Sequence, residues 1–370
     1  MDLSKAFDCI PHDLLIAKLS AYGFDRSALK YLYSYLKGRR QCVKINGTIS
    51  KFMTILSGVP QGSILGPILF NIFINDFNYF FTAANLHGFA DDHSWSANSE
   101  YLEMLKNILC SESDIAIKWL NDNQMLANPS KFQAIFLTKN KDHIKMNLQI
   151  NNQTIESKES VELLGIEIDD KLKFESHIKE LCRKSAGQLN SLYRFKRYFP
   201  SSSKQLAITS FIFSNFNYRP LVWNFTSSKS RNKIEQMQTR ALKFLNLNFE
   251  DNVTFAPGNS NMEVKRLRVL AIEIFKTLND LNPAYMKNIF HRSVNRTSER
   301  FKFNIQSQTF NQVKFGKNSL RVLGPILWNS LPNNVKSLQS ISHFKKFINK
   351  WGNYGCPHYK KFQSYYSAIK

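Results

Sequence analysis

Residues 88–95 read GFADDHSW, with Asp91 and Asp92 side by side in an otherwise apolar, strand-like run. Adjacent carboxylates at a tight turn repel one another unless they are solvated or neutralised, and a bound divalent cation neutralises them well. Alone, the pair is a weak signal. Two-metal phosphoryl transfer also needs a carboxylate from a neighbouring strand, so that ions roughly 3.5–4 Å apart activate the attacking oxygen and stabilise the leaving one. The first candidate for that partner is Asp2.

Outward from the pair, the surroundings read as a compact mixed domain. After Pro11, HDLLIAKLSAYGF places Leu14, Leu15 and Leu19 on one helical face and stops at Gly23. DRSALKYLYSYLKG repeats the pattern, with Asp25 as N-cap and Gly38 as stop. QCVKINGTIS predicts a hairpin turning at Asn46-Gly47. Gly58, Pro60 and Gly62 predict a loop over about Val59–Ser63, followed by a buried helix from about Ile64 to Asp76. A strand pair is expected around Asp91, then a helix over EYLEMLKNILCSESDIAIKWLND, a strand at FQAIFLT, and one further strand at VELLGIEID. From Ser176 the texture changes to long basic amphipathic helices. In MEVKRLRVLAIEIFKTLNDL the stripe of Val264, Leu267, Leu270 or Ala271, Ile274 and Leu278 is expected to be core, with Lys265, Arg266, Arg268 and Lys276 largely off it. His12, His87 and His93 are expected to be packing or surface residues, and Asp8 and Asp76 to serve as caps or helix ends.

The 370-residue chain is long enough for two or three domains, and its 43% hydrophobic content is that of a globular protein. Its 50 Lys and Arg against 28 Asp and Glu give a net charge of +22. The excess is uneven: Met1–Ile150 holds 15 basic and 13 acidic residues, Asn151–Lys370 holds 35 and 15. A positive field of that kind suits a polyanion, nucleic acid ahead of an acidic membrane. Cys9, Cys42, Cys110, Cys182 and Cys356 are widely spaced without a zinc pattern, so they are expected to be reduced and intracellular, in nucleus or cytoplasm. The longest apolar run, ILGPILFNIFI, is too short and too interrupted for a membrane span. No basic segment followed by an apolar stretch opens the chain as a secretory leader does.

MDLSKAFD, SGVPQGSILGP and GFADD, in that order, resemble motifs A, B and C of the reverse transcriptase palm. The likeness is to non-LTR (LINE-type) retrotransposons, with LLGIEIDDKLKFESHI similar to motif E and the segment after it. It covers roughly Met1–Phe199 and extends more weakly to IEQMQTRALKFL. A group II intron maturase or telomerase-like protein shares the palm but fits SGVPQGSILGP less well.

The resemblance implies an α+β fold: a right-hand polymerase palm, an antiparallel sheet with packed helices, over 1–175; a helical thumb over 176–250; and a mainly helical C-terminal region over 251–370. It implies RNA-directed DNA polymerase chemistry with RNA template, DNA primer and dNTPs as partners. Asp2, Asp91 and Asp92 would hold two Mg²⁺ ions, or Mn²⁺ in their place. Phe7 would exclude a 2′-hydroxyl, the backbone at Lys5 and Ala6 would approach the triphosphate, and Gln61 and Gly62, with Pro60, would position nucleotide and template. Ala90 matches the small residue that leaves room for a primer end. Lys131 matches the motif D lysine, expected to give a proton to pyrophosphate; Leu163, Leu164 and Gly165 match the primer grip. Lys179, Arg183, Lys184, Arg194, Lys196 and Arg197 would lie near backbone phosphates.

The likeness begins at motif A, with no fingers ahead of Asp2 and no visible endonuclease or Cys/His-rich element. The expectation is therefore a palm, thumb and C-terminal part of a larger polyprotein, as a truncated copy or a reading frame begun at an internal methionine. Activity would be impaired without fingers. The alternative is a catalytically silent nucleic-acid-binding remnant or co-opted module.

Overall fold

A computed structural model of the protein describes residues 6–128, 131–138, 144–246, 262–293, 303–307, 319–352 and 356–368. The chain divides into two compact units, Met1–Leu172 and Lys173–Lys370. Among the described residues no helix is long and apolar enough to cross a membrane.

In the first unit, helices α1 (His12–Ala21) and α2 (Arg26–Leu36) form where the apolar spacing predicts them. Leu15 and Leu19 are fully buried, and the Asp25 carboxylate caps α2 by accepting the Ala28 N–H at 2.7 Å. Two short ladders follow: β1 (Arg40–Gln41) pairs with β4 (Met53–Thr54), and β2 (Lys44–Ile45) pairs with β3 (Thr48–Ile49) across the expected Asn46-Gly47 turn. Helix α3 (Leu65–Ile74) is continued by a 3₁₀ turn at Asn75–Phe80. Next come the hairpin β5 (Asn85–Phe89) and β6 (Asp92–Ser96), then α4 (Leu102–Asp122).

A three-stranded sheet of order β7-β9-β8 follows, formed by β7 (Ala134–Ile135), β8 (Asn147–Ile150) and β9 (Gln153–Lys158), with β7 and β9 parallel. The segment VELLGIEID, expected as one strand, is instead a hairpin of β10 (Ser160–Leu163) and β11 (Ile166–Asp169). Its turn is Leu164-Gly165, with φ of +51° and +77°. Gly165 adopts such a φ readily, but a leucine there is uncommon, so the apolar run concealed the reversal.

The architecture is therefore mixed helix and small, mostly antiparallel sheet. Among the described residues the strands form four two-stranded sheets and one three-stranded sheet, not one continuous palm sheet. Two-stranded pairs this short are marginal by themselves and depend on what they pack against. For the β5–β6 hairpin that support is a core of Ala6, Ile10, Leu15, Leu19, Phe70, Phe73, Phe77, Trp119 and Leu120, against which Leu86 and Trp95 pack. Lys18 spans its edge: Nζ donates to the Phe73 carbonyl at 2.8 Å and to Asp76 Oδ1 at 2.7 Å, over the rings of Phe73 and Trp119. Asp76, expected to be a helix-end residue, is thus the partner of a half-buried cation.

The described part of the second unit is helical: α5 (Glu175–Arg194), α6 (Ser201–Ala207), a π-helical turn at Ile208–Phe213, α7 (Ser214–Asn217), α8 (Pro220–Trp223), α9 (Ser228–Phe244) and α10 (Met262–Leu278). After a 3₁₀ turn at Ala284–Ile289 come α11 (Leu320–Ser330), α12 (Asn333–Lys336), α13 (Ile341–Ile348) and α14 (Pro357–Ala368). The expected stripe of α10 is core: Leu267, Leu270, Ala271 and Ile274 pack with Trp328, Phe344 and Trp351.

Arg266 and Arg268, expected off that stripe, are only 3% and 6% exposed. They are admitted because each finds an oxygen partner: Arg266 Nε donates to Asn224 Oδ1 at 2.9 Å, and Arg268 Nε to the Trp351 carbonyl at 2.8 Å. Arg266 Nη2 also lies 3.4 Å from Glu235 Oε1. Burial nonetheless dominates, holding the Glu235 carboxyl above its usual range and the Arg266 guanidinium below its own, against their mutual attraction.

Candidate active site

The aspartate pair sits on the β5–β6 hairpin. Phe89 pairs with Asp92, which leaves Ala90 and Asp91 as a two-residue loop. Ala90 has φ of +52°, a conformation that costs a residue with a Cβ about 1–2 kcal/mol. Asp91 is half-buried and Asp92 exposed. His93 fixes the turn from behind: its Nδ1–H donates to the Asp91 carbonyl at 3.2 Å, and its ring meets Phe77 edge-on at 5.4 Å. His93 is buried, and burial pushes its pKa down, so the imidazole serves as a packing element, as expected of a lone histidine.

A second locus joins the turn at residues 6–10 to the loop at residues 57–62. The Val59 N–H donates to the Phe7 carbonyl at 2.8 Å, the Gly58 N–H to the Ile10 carbonyl at 2.8 Å, and Ser57 Oγ to the Asp8 carbonyl at 2.9 Å. His12 Nε2 closes the lacing by donating to the Gly58 carbonyl at 2.8 Å. Gly58 has φ of +88°, and a Cβ there would lie 2.7 Å from the Asp8 Cα. Only glycine allows the two loops to approach this closely. Phe7 stacks on Phe70 of α3, with centroids 4.5 Å apart. Gln61, exposed at the tip, donates from Nε2 to Asp8 Oδ1 at 2.8 Å.

Ala6, Phe7, Gln61 and Gly62 therefore meet at one pair of loops. Asp91 and Asp92 stand on a separate hairpin, which rests on the same aromatic core through Phe77. Lys131 is exposed, and its N–H donates to the Asn128 carbonyl at 3.0 Å. Leu163, Leu164 and Gly165 form the tip of the β10–β11 hairpin. In the second unit Lys179, Lys184, Arg194 and Arg197 are exposed. Arg183 is engaged on its own helix by Glu180, Nη2 to Oε1 at 2.6 Å. Lys196 donates to Asn246 Oδ1 at 2.8 Å. Asp2 and Lys5 lie outside the described residues.

Sequence reasoning missed Asp8, expected only as a cap. Its contact with Gln61 spans 53 positions, and no periodic pattern reports such a pairing.

Among the described residues no three His, Cys, Asp or Glu side chains converge as a metal site. Asp91 and Asp92 do offer the hard oxygen donors that Mg²⁺ prefers, and they stand at a turn held by packing.

Residues 1–168 match the family described as reverse transcriptase (RNA-dependent DNA polymerase). The chain is also similar to proteins named as polymerases of mobile elements. The chain is 26% identical over 258 residues to "Probable RNA-directed DNA polymerase from transposon BS" of Drosophila melanogaster, covering 66% of this chain and 28% of that protein. It is 23% identical over 253 residues to "RNA-directed DNA polymerase from mobile element jockey" of the same organism, covering 66% and 27%. A shorter match, 29% over 76 residues, covers 20% of this chain and 12% of "Retrovirus-related Pol polyprotein from type-1 retrotransposable element R2" of Popillia japonica. The chain thus spans less than a third of the length of these relatives.

Proposed function

We propose that the chain carries the polymerising core of a non-LTR reverse transcriptase, adding deoxynucleotides to a primer 3′-OH under the direction of an RNA template. In this reading 1–175 is the palm, 176–250 the thumb and 251–370 a helical C-terminal region. The observation that carries it is the aspartate pair at a two-residue hairpin turn, with the Asp91 carbonyl held by a buried histidine.

Asp91 and Asp92, together with Asp2, would hold two Mg²⁺ ions, or Mn²⁺ in their place. Bound there, the ions supply activation of the attacking hydroxyl and stabilisation of charge on the leaving oxygen. Phe7, backed by Phe70, closes the sugar position against a 2′-hydroxyl. Gln61 and Gly62 line the nucleotide, with the backbone at Lys5 and Ala6 towards the triphosphate. Lys131 donates a proton to departing pyrophosphate. Leu163, Leu164 and Gly165 support the primer, and Lys179, Arg183, Lys184, Arg194, Lys196 and Arg197 follow the phosphate backbones.

A second reading, a silent nucleic-acid-binding module, is favoured by the charge: the 35 basic against 15 acidic residues of Asn151–Lys370 attract a polyanion whether or not the aspartates work. Primer extension on an RNA template with Mg²⁺ or Mn²⁺ separates the two. The chain is assayed with and without an upstream fingers segment supplied from a relative, each beside its Asp91→Ala form. Extension that Asp91→Ala abolishes is the expected result. Extension by neither form removes the enzyme reading, and extension indifferent to Asp91→Ala removes the metal assignment.

A further inference from the structure

Between Glu180 and Glu235 the chain holds ten Lys or Arg and no Asp or Glu. In the first third of that acid-free stretch, α5 runs out through the sequence YRFKRY, residues 193–198. The helix stops at Arg194 and the chain turns tightly: the Phe195 N–H donates to the Leu192 carbonyl at 3.1 Å and the Tyr198 N–H to the Phe195 carbonyl at 2.9 Å.

The three aromatic residues in this turn are used differently. The Tyr193 ring meets Phe244 edge-on at 5.1 Å. Lys196 lies over both of those rings, at 5.7 and 5.5 Å, and its Nζ is held by Asn246 Oδ1. These contacts fasten the turn to the end of α9. Phe195 and Tyr198, by contrast, are 56% and 82% exposed, and Arg194 and Arg197 beside them are exposed too.

Two outward rings on a turn pinned by its other residues, interleaved with cations and with no carboxylate along the chain to repel phosphate, have the composition of a stacking platform. A duplex hides its base faces, so the fitting partner is an unpaired strand. An anionic membrane suits the element less well. A helix lying on a bilayer needs a broad apolar outer face, and the exposed face of α5 carries Lys179, Glu180, Lys184, Asn190 and Arg194.

We propose that the turn after α5 binds single-stranded RNA or DNA, stacking unpaired bases on Phe195 and Tyr198 while Arg194 and Arg197 contact the flanking phosphates. Lys196, held by Asn246, then braces the turn, and the phosphate contacts assigned to this stretch above fall to Arg194 and Arg197. The inference rests on the nucleic-acid reading above and adds the bases to it: the site would grip a strand by its rings as well as by its charge.

The test is equilibrium binding of the whole chain, by fluorescence anisotropy, to a labelled oligo(dT) and to an abasic oligomer of the same length, across a salt series. Phe195→Ala with Tyr198→Ala is expected to weaken oligo(dT) binding about tenfold or more. Its salt slope and its abasic binding should be unchanged. Arg194→Gln with Arg197→Gln should weaken both oligomers alike and flatten the slope by about 1.4, at about 0.7 per phosphate contact. Phe195→Tyr with Tyr198→Trp keeps the rings and should keep the affinity. Because both side chains are exposed, thermal unfolding of all three variants should match the parent.

The proposal is overturned if the alanine pair binds oligo(dT) as the parent does, if it loses equally on the abasic oligomer, or if the ring-retaining pair loses as much. In each of those outcomes the chain still binds nucleic acid and the polymerase reading stands. A chain that binds neither oligomer removes the nucleic-acid reading with it. If the chain then binds phosphatidylserine vesicles through the same two rings, the surface belongs to a membrane.

Discussion

Gln61 donates its side-chain Nε2 to Asp8 Oδ1 at 2.8 Å, and this fixes which end of the amide is left over. An ionised carboxylate can only accept, so the nitrogen must face Asp8 and the oxygen must face away. Asp8→Ala removes that constraint. Both residues are exposed, so stability should change by less than about 1 kcal/mol. In primer extension the variant should raise KM for the nucleotide with little change in kcat. A fall in kcat at unchanged KM would show that Asp8 acts on the chemical step.

Gly58→Ala should damage the fold itself. The added Cβ meets the Asp8 Cα and carbonyl oxygen at 2.7 Å, at a φ of +88°. Backbone strain and overpacking together should cost roughly 2–4 kcal/mol, read by urea unfolding. Gly62→Ala is the control: its φ is +78° but a Cβ there meets nothing within 4 Å. It should lose only about 1 kcal/mol.

At the aspartate hairpin the expected sign is opposite. Ala90 already has φ of +52°, so Ala90→Gly relieves about 1–2 kcal/mol of backbone strain, offset by about 0.5–1 kcal/mol of extra chain entropy. Denaturant titration should find the variant as stable as the parent or slightly more so. Ala90→Val should be less stable, because a β-branched residue tolerates that conformation poorly.

Lys336 gives a pH signature in the second unit. It is buried and donates to Asn304 Oδ1 at 2.7 Å, and burial, followed by the charge of Lys361, lowers its pKa from 10.5 to about 8. Between those values the unfolded chain holds the proton more firmly, so unfolding takes up protons and stability rises with pH. The gain is complete above 10.5 and is lost as pH falls to about 8. Lys336→Met should flatten the rise by about 1–3 kcal/mol, measured as the difference between variant and parent urea midpoints across that range.

The features legible in the sequence were local ones. The Asp25 cap, the glycine stops, the Asn46-Gly47 turn and the stripe of α10 each depend on residues a few positions apart, and each stands where its pattern put it. What escaped depended on distant partners. Arg266 and Arg268 look solvated until Asn224 and the Trp351 carbonyl are brought to them by tertiary packing. Leu164 gives no turn signal, because its φ is imposed by the two strands it joins. At the site, the residue types of the aspartate turn and of the loop at Val59–Ser63 could be read, but the lacing of Phe7, Asp8 and Ile10 to residues 57–61 could not. Those bonds run between backbone groups that every residue possesses.

Phe70 backs the turn at Phe7 and Phe77 backs the aspartate hairpin, and the two rings belong to one continuous helical segment, α3 and its 3₁₀ extension. At about 1.5 Å per residue in the α-helix and about 2.0 Å in the 3₁₀ turn, that spaces the supports by about 12 Å. Their separation is thus set by a count of residues, more than by the chemistry of those between. Substitution at the exposed Asn71 should pass, whereas inserting or deleting one residue between Phe70 and Phe77 would turn one support by about 100–120° relative to the other. At the outward positions of this stretch, length is under stricter constraint than composition.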